Sequence, residues 1–274
     1  MKKILLTAAA TAVLLGAAQT ASAHISYSGR NFGTLVIGNP ASSINNQTMS
    51  SAFGWADATD SDWGDSHRGR FFRFTLTTTA SVMITVQRNA LGTGTVGTFL
   101  PAISVYSGLA QGSPEALAHD SSTLSVTSRP VSTEGSFRAM HDWSIGNDDT
   151  YNTPGDPTSG VLYAARLANF TYIGHAADGT SANFGLAPGI NGDGNADGSV
   201  TATFHGLAPG NYSLFVGGAN YAAQTTQAGP TYPTYGINVT VQAVPEPSTY
   251  ALLALAACGL GVVALRRKKC SAVD

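Results

Sequence analysis

The chain has 274 residues, with 14 Lys and Arg against 16 Asp and Glu, and its formal net charge at pH 7 is −2. This composition excludes the strongly basic surface on which nucleic-acid binding depends. Both cysteines, Cys258 and Cys270, lie near the C-terminus, so the rest of the chain has neither a disulfide nor a thiol nucleophile.

The first 23 residues have the organisation of a secretory signal peptide. Two lysines precede an apolar segment rich in Ala and Leu, Ile4 to Ala18. Ala21 and Ala23 then form an A-x-A site, at which we expect signal peptidase to cut before His24. Residues 1–23 are therefore predicted to form a signal-peptide helix that is removed on export.

The predicted exported part, residues 24–244, is more acidic than the whole chain. It contains eight Arg, no Lys and fourteen Asp and Glu, a net charge of −6. This charge suits neither nucleic acid nor anionic lipid. The length is sufficient for one sizeable core, and without disulfides the burial of that core, helped or not by a metal ion, must provide the stability.

The first half of this part contains segments of period two, which is the pattern of half-buried strands. Phe72, Phe74 and Leu76 alternate with polar residues, and Val82, Ile84 and Val86 repeat the alternation. Residues 39–69 are rich in Ser, Asn, Asp and Gly and are predicted to form a long loop anchored by tryptophans. Strands are predicted at residues 24–37, 72–76, 82–86 and 99–106.

The middle of the chain has weaker patterns. A strand is predicted at Leu124–Thr127, and a loop at Asp148–Gly160, which is rich in Asp, Asn, Pro and Gly. Tyr163–Leu167 is compatible with a short helix, whereas Phe170–Ile173 favours a strand. Since no 3.6-residue periodicity is sustained, we expect few and short helices.

The last third contains a turn with a known structural role. Strands are predicted at Val200–Phe204, Tyr212–Val216 and Tyr235–Val241. The segment from Leu207 to Tyr212 resembles a tyrosine corner, in which the Tyr212 hydroxyl binds the backbone just upstream of Gly210. This feature is typical of Greek-key sandwiches.

The order of the predicted strands also resembles the jelly-roll-like domain of bacterial pre-peptidase C-terminal modules. That resemblance implies a sandwich and no function. The predicted fold is thus all-β, an antiparallel, jelly-roll-like β-sandwich with a long insert around residues 107–199. A signal-peptide helix precedes it and a C-terminal transmembrane helix follows it.

A candidate metal site lies in the segment Asn191–Gly198, where oxygen side chains alternate with Gly and Ala. Asp193, Asn195 and Asp197 match the first half of an EF-hand loop, and oxygen ligands suit Ca²⁺. The twelfth position is Phe204, which offers no bidentate carboxylate. Two interpretations stay open: a solvated turn between strands, or a loop that binds calcium.

Candidate catalytic and binding residues are scattered. No H-x-x-x-H, H-x-H or G-x-S-x-G spacing occurs, so no catalytic residue is assigned, although distant histidines and acids could still assemble a hydrolase site. Exposed aromatic side chains could stack on sugar rings, whereas buried ones would be core or loop anchors. The histidines are His24, His67, His119, His141, His175 and His205, and the aromatic candidates are Trp55, Trp63, Trp143, Tyr221, Tyr232 and Tyr235.

The C-terminal segment, residues 245–274, has the organisation of a sorting tag. Pro245, Glu246 and Pro247 form a non-helical entry, because proline fixes φ and restricts the residue before it. An apolar run from Tyr250 to Leu265 follows, which is close to the length of a membrane span. The basic stop Arg266, Arg267, Lys268 and Lys269 would stay in the cytoplasm, which places the rest of the chain outside the inner membrane.

These three elements in order resemble a PEP-CTERM sorting signal. The resemblance implies recognition at Pro245–Pro247 and cleavage by an exosortase, an integral-membrane cysteine protease, in bacteria that make extracellular polysaccharide. The main hypothesis is a non-enzymatic exported protein of the cell surface or polysaccharide matrix, with a structural or adhesive role. The alternatives are a calcium-assisted carbohydrate-binding module and a secreted hydrolase; a plain membrane anchor is the alternative for the tag.

Overall fold

The computed structural model describes residues 25–56, 63–110, 136–146, 167–185, 189–226 and 232–246. Within these ranges the chain forms twelve strands, a 3₁₀ turn at Val96–Thr98 and a short α-helix, α1 (Tyr221–Thr226). None of the helices in this part is long and apolar enough to cross a membrane. The two predicted terminal helices lie outside the described residues, as do the strand at 124–127, the loop at 148–160 and the ambiguous segment 163–166.

Three sheets account for the strands. The largest has six strands in the order β1 (Asn31–Leu35), β4 (Arg70–Leu76), β11 (Gly210–Gly218), β6 (Pro101–Ser107), β9 (Leu167–Ala177) and β8 (Trp143–Gly146). The second has four, in the order β10 (Ser199–Leu207), β5 (Ala80–Gly92), β12 (Thr234–Val244) and β2 (Ser42–Ser50). The third pairs β3 (Trp63–Asp65) with β7 (Ser136–Arg138). All neighbours are antiparallel except β1 and β4.

The two larger sheets bury a common core between them. Phe72 and Phe74 of β4 belong to one buried cluster with Val82 and Ile84 of β5. Arg73 and Thr75, which alternate with the two phenylalanines along β4, are less buried. The prediction from the alternation is therefore confirmed, because the apolar positions form the inner faces of two facing sheets. The described part is mostly β, as in a sandwich.

A second core covers the other face of the six-stranded sheet. Phe71, the neighbour of Phe72, is 3% exposed and packs here, so β4 buries both of its faces. Trp143 stacks on Phe170 with ring centroids 4.4 Å apart, and its buried Nε1 has no hydrogen-bond partner among the described residues. The large sheet thus forms the middle layer between two clusters of buried side chains.

The predicted long loop at residues 39–69 is wrong, because β2 and β3 lie within it. β2 has the sequence SSINNQTMS, without apolar alternation, and most of its residues are partly or fully exposed. It is the edge strand beside β12, so backbone hydrogen bonds rather than side-chain burial define it. The predicted strand at Phe170–Ile173 is confirmed as part of β9.

The predicted tyrosine corner is confirmed. The hydroxyl of Tyr212, at the start of β11, donates a hydrogen bond to the carbonyl oxygen of Ala208, and burial raises the pKa of this hydroxyl. The Tyr212 ring stacks on Phe74, with centroids 5.0 Å apart. This contact fixes the turn from β10 to β11 against the core.

Candidate functional site at the chain exit

The ordered fold continues up to the residue before the sorting motif. Val244, the last residue of β12, pairs with Ser81 at the start of β5. Pro245 follows directly, and because it has no N–H it cannot extend the ladder. No linker therefore separates the body from the motif.

The glutamate of the motif lies against the body. Its Oε1 accepts a hydrogen bond from the backbone N–H of Gly206, at 2.8 Å. Gly206 has a φ of +67° and lies where the register of β10 shifts, between Phe204 and Leu207. Glu246 is therefore held by the bulge at the end of β10. Pro247, the basic stop at 266–269 and the cleavage residues Ala21 and Ala23 lie outside the described residues.

Three described turns lie at the end of the body at which the chain leaves β12, and the end of β6 and the start of β9 lie at the same end of the large sheet. The three turns join β1 to β2, β4 to β5 and β10 to β11, and the register brings them together because Leu35 pairs with Leu76 and Leu207 pairs with Ala80. Lys, Arg, Asp and Glu are absent from all three turns, which are residues 36–41, 77–79 and 208–209. We call these three turns the exit end.

The exit end exposes apolar side chains. Val36 and Ile37 are 46% and 37% exposed, and Val36 lies beside an open groove of about 310 Å³ that Pro40 and Ala243 also line. Since Ala243 is the penultimate residue of β12, the groove is next to the point where the chain leaves the body.

The predicted calcium loop is a turn held by its own side chains. Asp193 Oδ1 accepts the N–H groups of Gly179, at 3.1 Å, and Asn195, at 3.0 Å. Asp197 Oδ1 accepts the N–H of Ser199 at 3.0 Å. The contacts of Asn195 and Ser199 are Asx turns, whereas that of Gly179 joins the loop to the end of β9. Calcium binding by Asp193, Asn195 and Asp197 stays a prediction.

Asp178, which the sequence analysis missed, lies buried behind this loop. Its Oδ1 accepts the N–H of Asp197 at 3.0 Å and its Oδ2 that of Gly198 at 2.6 Å. The pKa of the Asp178 carboxyl is raised to about 6, mainly by burial; the charges of Asp193 and Asp197 act in the same direction and the two N–H groups oppose them. An Asp-Gly pair directly after a strand is the signal that could have identified it.

The described histidines bind different partners. His67 Nδ1 lies 2.9 Å from Asp65 Oδ1, and His205 Nδ1 lies 2.8 Å from Ser81 Oγ. His175 accepts a backbone N–H at Nε2, and its Nδ1 binds a tyrosine hydroxyl. In the ranges given above, no three His, Cys, Asp or Glu are grouped so that they could hold a metal ion. His24 and His119 lie outside those ranges.

The aromatic candidates for sugar stacking are mostly inside the body. Trp55 and Trp143 are 0% and 3% exposed, and Trp55 Nε1 donates to Ser104 Oγ at 2.8 Å. Tyr235 is buried, whereas the half-buried Tyr232 packs against the Arg68 guanidinium, 3.7 Å from the ring centre. These side chains are core residues and loop anchors rather than an exposed aromatic strip.

Comparison with known proteins identifies the tag. Residues 243–268 match the family model of the PEP-CTERM protein-sorting motif. The resemblance seen in the sequence is confirmed, and the chain carries the tag of an exported protein that is anchored through its C-terminus before exosortase processing. No curated protein matches the chain.

Two solved structures align with most of this chain at low identity. CorA, a surface-associated copper-binding protein from Methylomicrobium album BG8, is 17% identical; 77% of this chain and 97% of that chain are covered, with a TM-score of 0.46. The secreted protein MopE from Methylococcus capsulatus, whose copper binding is facilitated by an oxidised tryptophan, is 15% identical, with 78% and 87% covered and a TM-score of 0.39. Structures that are this distantly related do not indicate the role of this chain, which has to be argued from its own residues.

Proposed function

We propose that this chain, which carries a PEP-CTERM sorting motif, is delivered through exosortase cleavage to the cell surface or the extracellular polysaccharide matrix, where its β-rich body has a structural or adhesive role. The observation that carries the proposal is the direct succession of β12 and the motif. Because no linker intervenes, cleavage near Pro245–Pro247 releases an intact body. The partners of the precursor are then signal peptidase, the inner membrane and exosortase.

The chemistry of the body supports a structural role. Two of its three tryptophans are buried, and the side chains of Asp178, Asp193 and Asp197 accept backbone N–H groups within one turn. The tryptophans and the loop hydrogen bonds therefore serve the fold, although the burial of the Asp178 charge opposes it. A surface of this kind would act in the matrix through its shape and its acidic charge.

The intact mass of the protein in each cell fraction tests the proposal. In the wild type we expect a mass ending between Val244 and Pro247, found at the cell surface or in the supernatant. Replacing Pro245, Glu246 and Pro247 by Ala should leave a longer protein in the inner membrane. The matched control is Ser248→Ala/Thr249→Ala, which should be processed like the wild type. A wild-type mass that retains Tyr250–Asp274 would mean a plain membrane anchor.

A calcium-assisted carbohydrate-binding module is the second candidate. The observation that favours it is that Asp193 and Asp197 lie close enough to buried Asp178 for their charges to raise the pKa of its carboxyl, after the larger effect of burial, and a cation would relieve this repulsion. If this role holds, titration of Ca²⁺ should give saturable heat and a higher melting temperature. Asp193→Asn/Asp197→Asn should abolish both effects, whereas Asp142→Asn, at an exposed position, should not. Absence of heat in the wild type would eliminate the candidate.

A further inference from the structure

We propose that the exit end is a membrane-contact surface, which rests on the outer face of the inner membrane while the precursor is held by its tag. The turn 36–41, with the exposed Val36 and Ile37, is the part in contact with the lipid. The inference rests on the proposed function, since it requires the C-terminal apolar run to be inserted in the bilayer.

The first argument is the length of the tether between body and bilayer. Five residues, 245–249, separate β12 from the apolar run, and fully extended they span at most about 18 Å. The contact of Glu246 with Gly206 fixes the first two of them on the body. The remaining three, 247–249, span at most about 10 Å when fully extended, which is comparable with the thickness of one headgroup layer, about 5–8 Å. The body therefore cannot stand clear of the membrane surface.

The second argument is the composition of the surface that this tether holds at the bilayer. The three turns of the exit end have no charged residue, so the turns themselves bring no ion to the headgroups, and the charged side chain bound beside them, Glu246, is at an exposed site. Residues 24–244 as a whole have a net charge of −6, which an anionic lipid surface would repel. Both terms favour the orientation in which the uncharged exit end faces the lipid.

The exit end also exposes apolar side chains beside the point where the chain leaves the body. Leu91 is as exposed as Val36, at 45% and 46%, but it lies near the far end of β5. Ala80, the first residue of β5, pairs with Leu207 at the exit end, and eleven residues of extended strand place Leu91 about 36 Å away. Because Leu91 and Val36 are equally exposed, Leu91 is a matched control position far from the exit end.

The experiment uses the tagged precursor in vesicles of neutral and anionic phospholipid. Val36→Cys and Leu91→Cys are made in a Cys258→Ala/Cys270→Ala background, and each cysteine is labelled with an environment-sensitive fluorophore. Lipids that carry a nitroxide on the headgroup then quench labels near the bilayer surface. We expect quenching at position 36 to exceed quenching at position 91 at least threefold.

Lengthening the tether tests the geometric argument directly. A ten-residue Gly-Ser insertion between Val244 and Pro245, made in the Val36→Cys protein, should reduce quenching at position 36 towards the level at position 91. Quenching that the insertion leaves unchanged would overturn the argument from tether length, and with it the proposal.

Flotation of the vesicles separates failure of this inference from failure of the proposed function. A precursor that does not float with the vesicles has no inserted tag, and the sorting proposal itself fails. If it floats but the two labels are quenched equally, only the membrane contact is overturned. Selective quenching at position 36 that requires added exosortase would assign the surface to the protease and overturn the lipid contact.

Discussion

At the scale of single residues, one carboxylate among the described residues of the body is fully buried. Asp178 is 0% exposed and accepts two backbone N–H groups from the loop that follows it. These bonds favour the ionised form, but burial outweighs them, so the pKa is raised to about 6. The ionised form of Asp178 therefore lowers the stability of the fold, and the two hydrogen bonds from the loop offset this loss only in part.

This carboxylate gives stability a defined pH dependence. Because its folded-state pKa exceeds the unfolded value, its contribution is fully present below about pH 4 and is lost as the pH rises through about 6. Relative to Asp178→Asn, the free energy of unfolding of the wild type should therefore increase by about 1–3 kcal/mol from pH 7 to pH 4.

Urea unfolding at several pH values measures this difference, and titrations common to both proteins cancel in it. Asp142→Asn is the matched control, since exposed Asp142 also accepts a backbone N–H, from Tyr172. Parallel curves for the wild type and Asp178→Asn would contradict the assignment.

The residues of the Asp-rich loop show what sequence can predict at this scale. The alternation of Asp193, Asn195 and Asp197 predicts either a solvated turn or a calcium loop; the structure has hydrogen-bonded Asx turns at Asp193 and Asp197, and calcium binding stays a prediction. Asp178 is fifteen residues before Asp193 and reaches the loop only because β9 ends there. Local spacing carries no information on such a contact.

At the scale of elements, β12 is the strand to which function and stability are both tied. It lies between β5 and β2 in the four-stranded sheet, its inner face belongs to the main core, and its end leads into the sorting motif. Its alternation is visible in the sequence, and the predicted strand at 235–241 is confirmed, with one more residue before it and three after it.

Substitutions on the two faces of β12 should have different effects. Ile237 is fully buried, so Ile237→Ala should lower the free energy of unfolding by about 2–5 kcal/mol through lost burial and a cavity. Thr240, on the outer face, shares a hydrogen bond with Ser43 at an exposed site, and Thr240→Ala should cost less than about 1 kcal/mol. Denaturant unfolding of both variants provides the measurement, and equal losses would contradict the assignment of the inner face.

β2 and β4 show what the hydrophobic periodicity of the sequence does not predict about a strand. The polar sequence of β2 has no periodicity because its edge position demands little burial, with Met49 its one fully buried residue, so only the register with β12 reveals it. In β4 the alternation identified Phe72 and Phe74 but not the burial of Phe71, which requires the second aromatic cluster on the outer face. Burial on both faces depends on elements far away in sequence.

At the scale of the whole molecule, the sequence was most informative where the signal is local. The sorting tag is encoded in adjacent residues, and the family model over residues 243–268 confirms it. Facing β-sheets follow from alternation, and they are also confirmed. The position of the exit among three uncharged turns depends on the registers of six strands, which no single segment specifies.

The position of β12 inside its sheet also determines how the molecule carries mechanical load. Tension applied through the C-terminal tag runs along β12, and hydrogen bonds to β5 and β2 resist it from both sides. Because those bonds lie across the direction of pull, they are loaded together in shear instead of one after another as in peeling. A precursor that is held in the membrane by its tag and pulled at its body would therefore transmit force into the middle of its sheet rather than unravel from an edge.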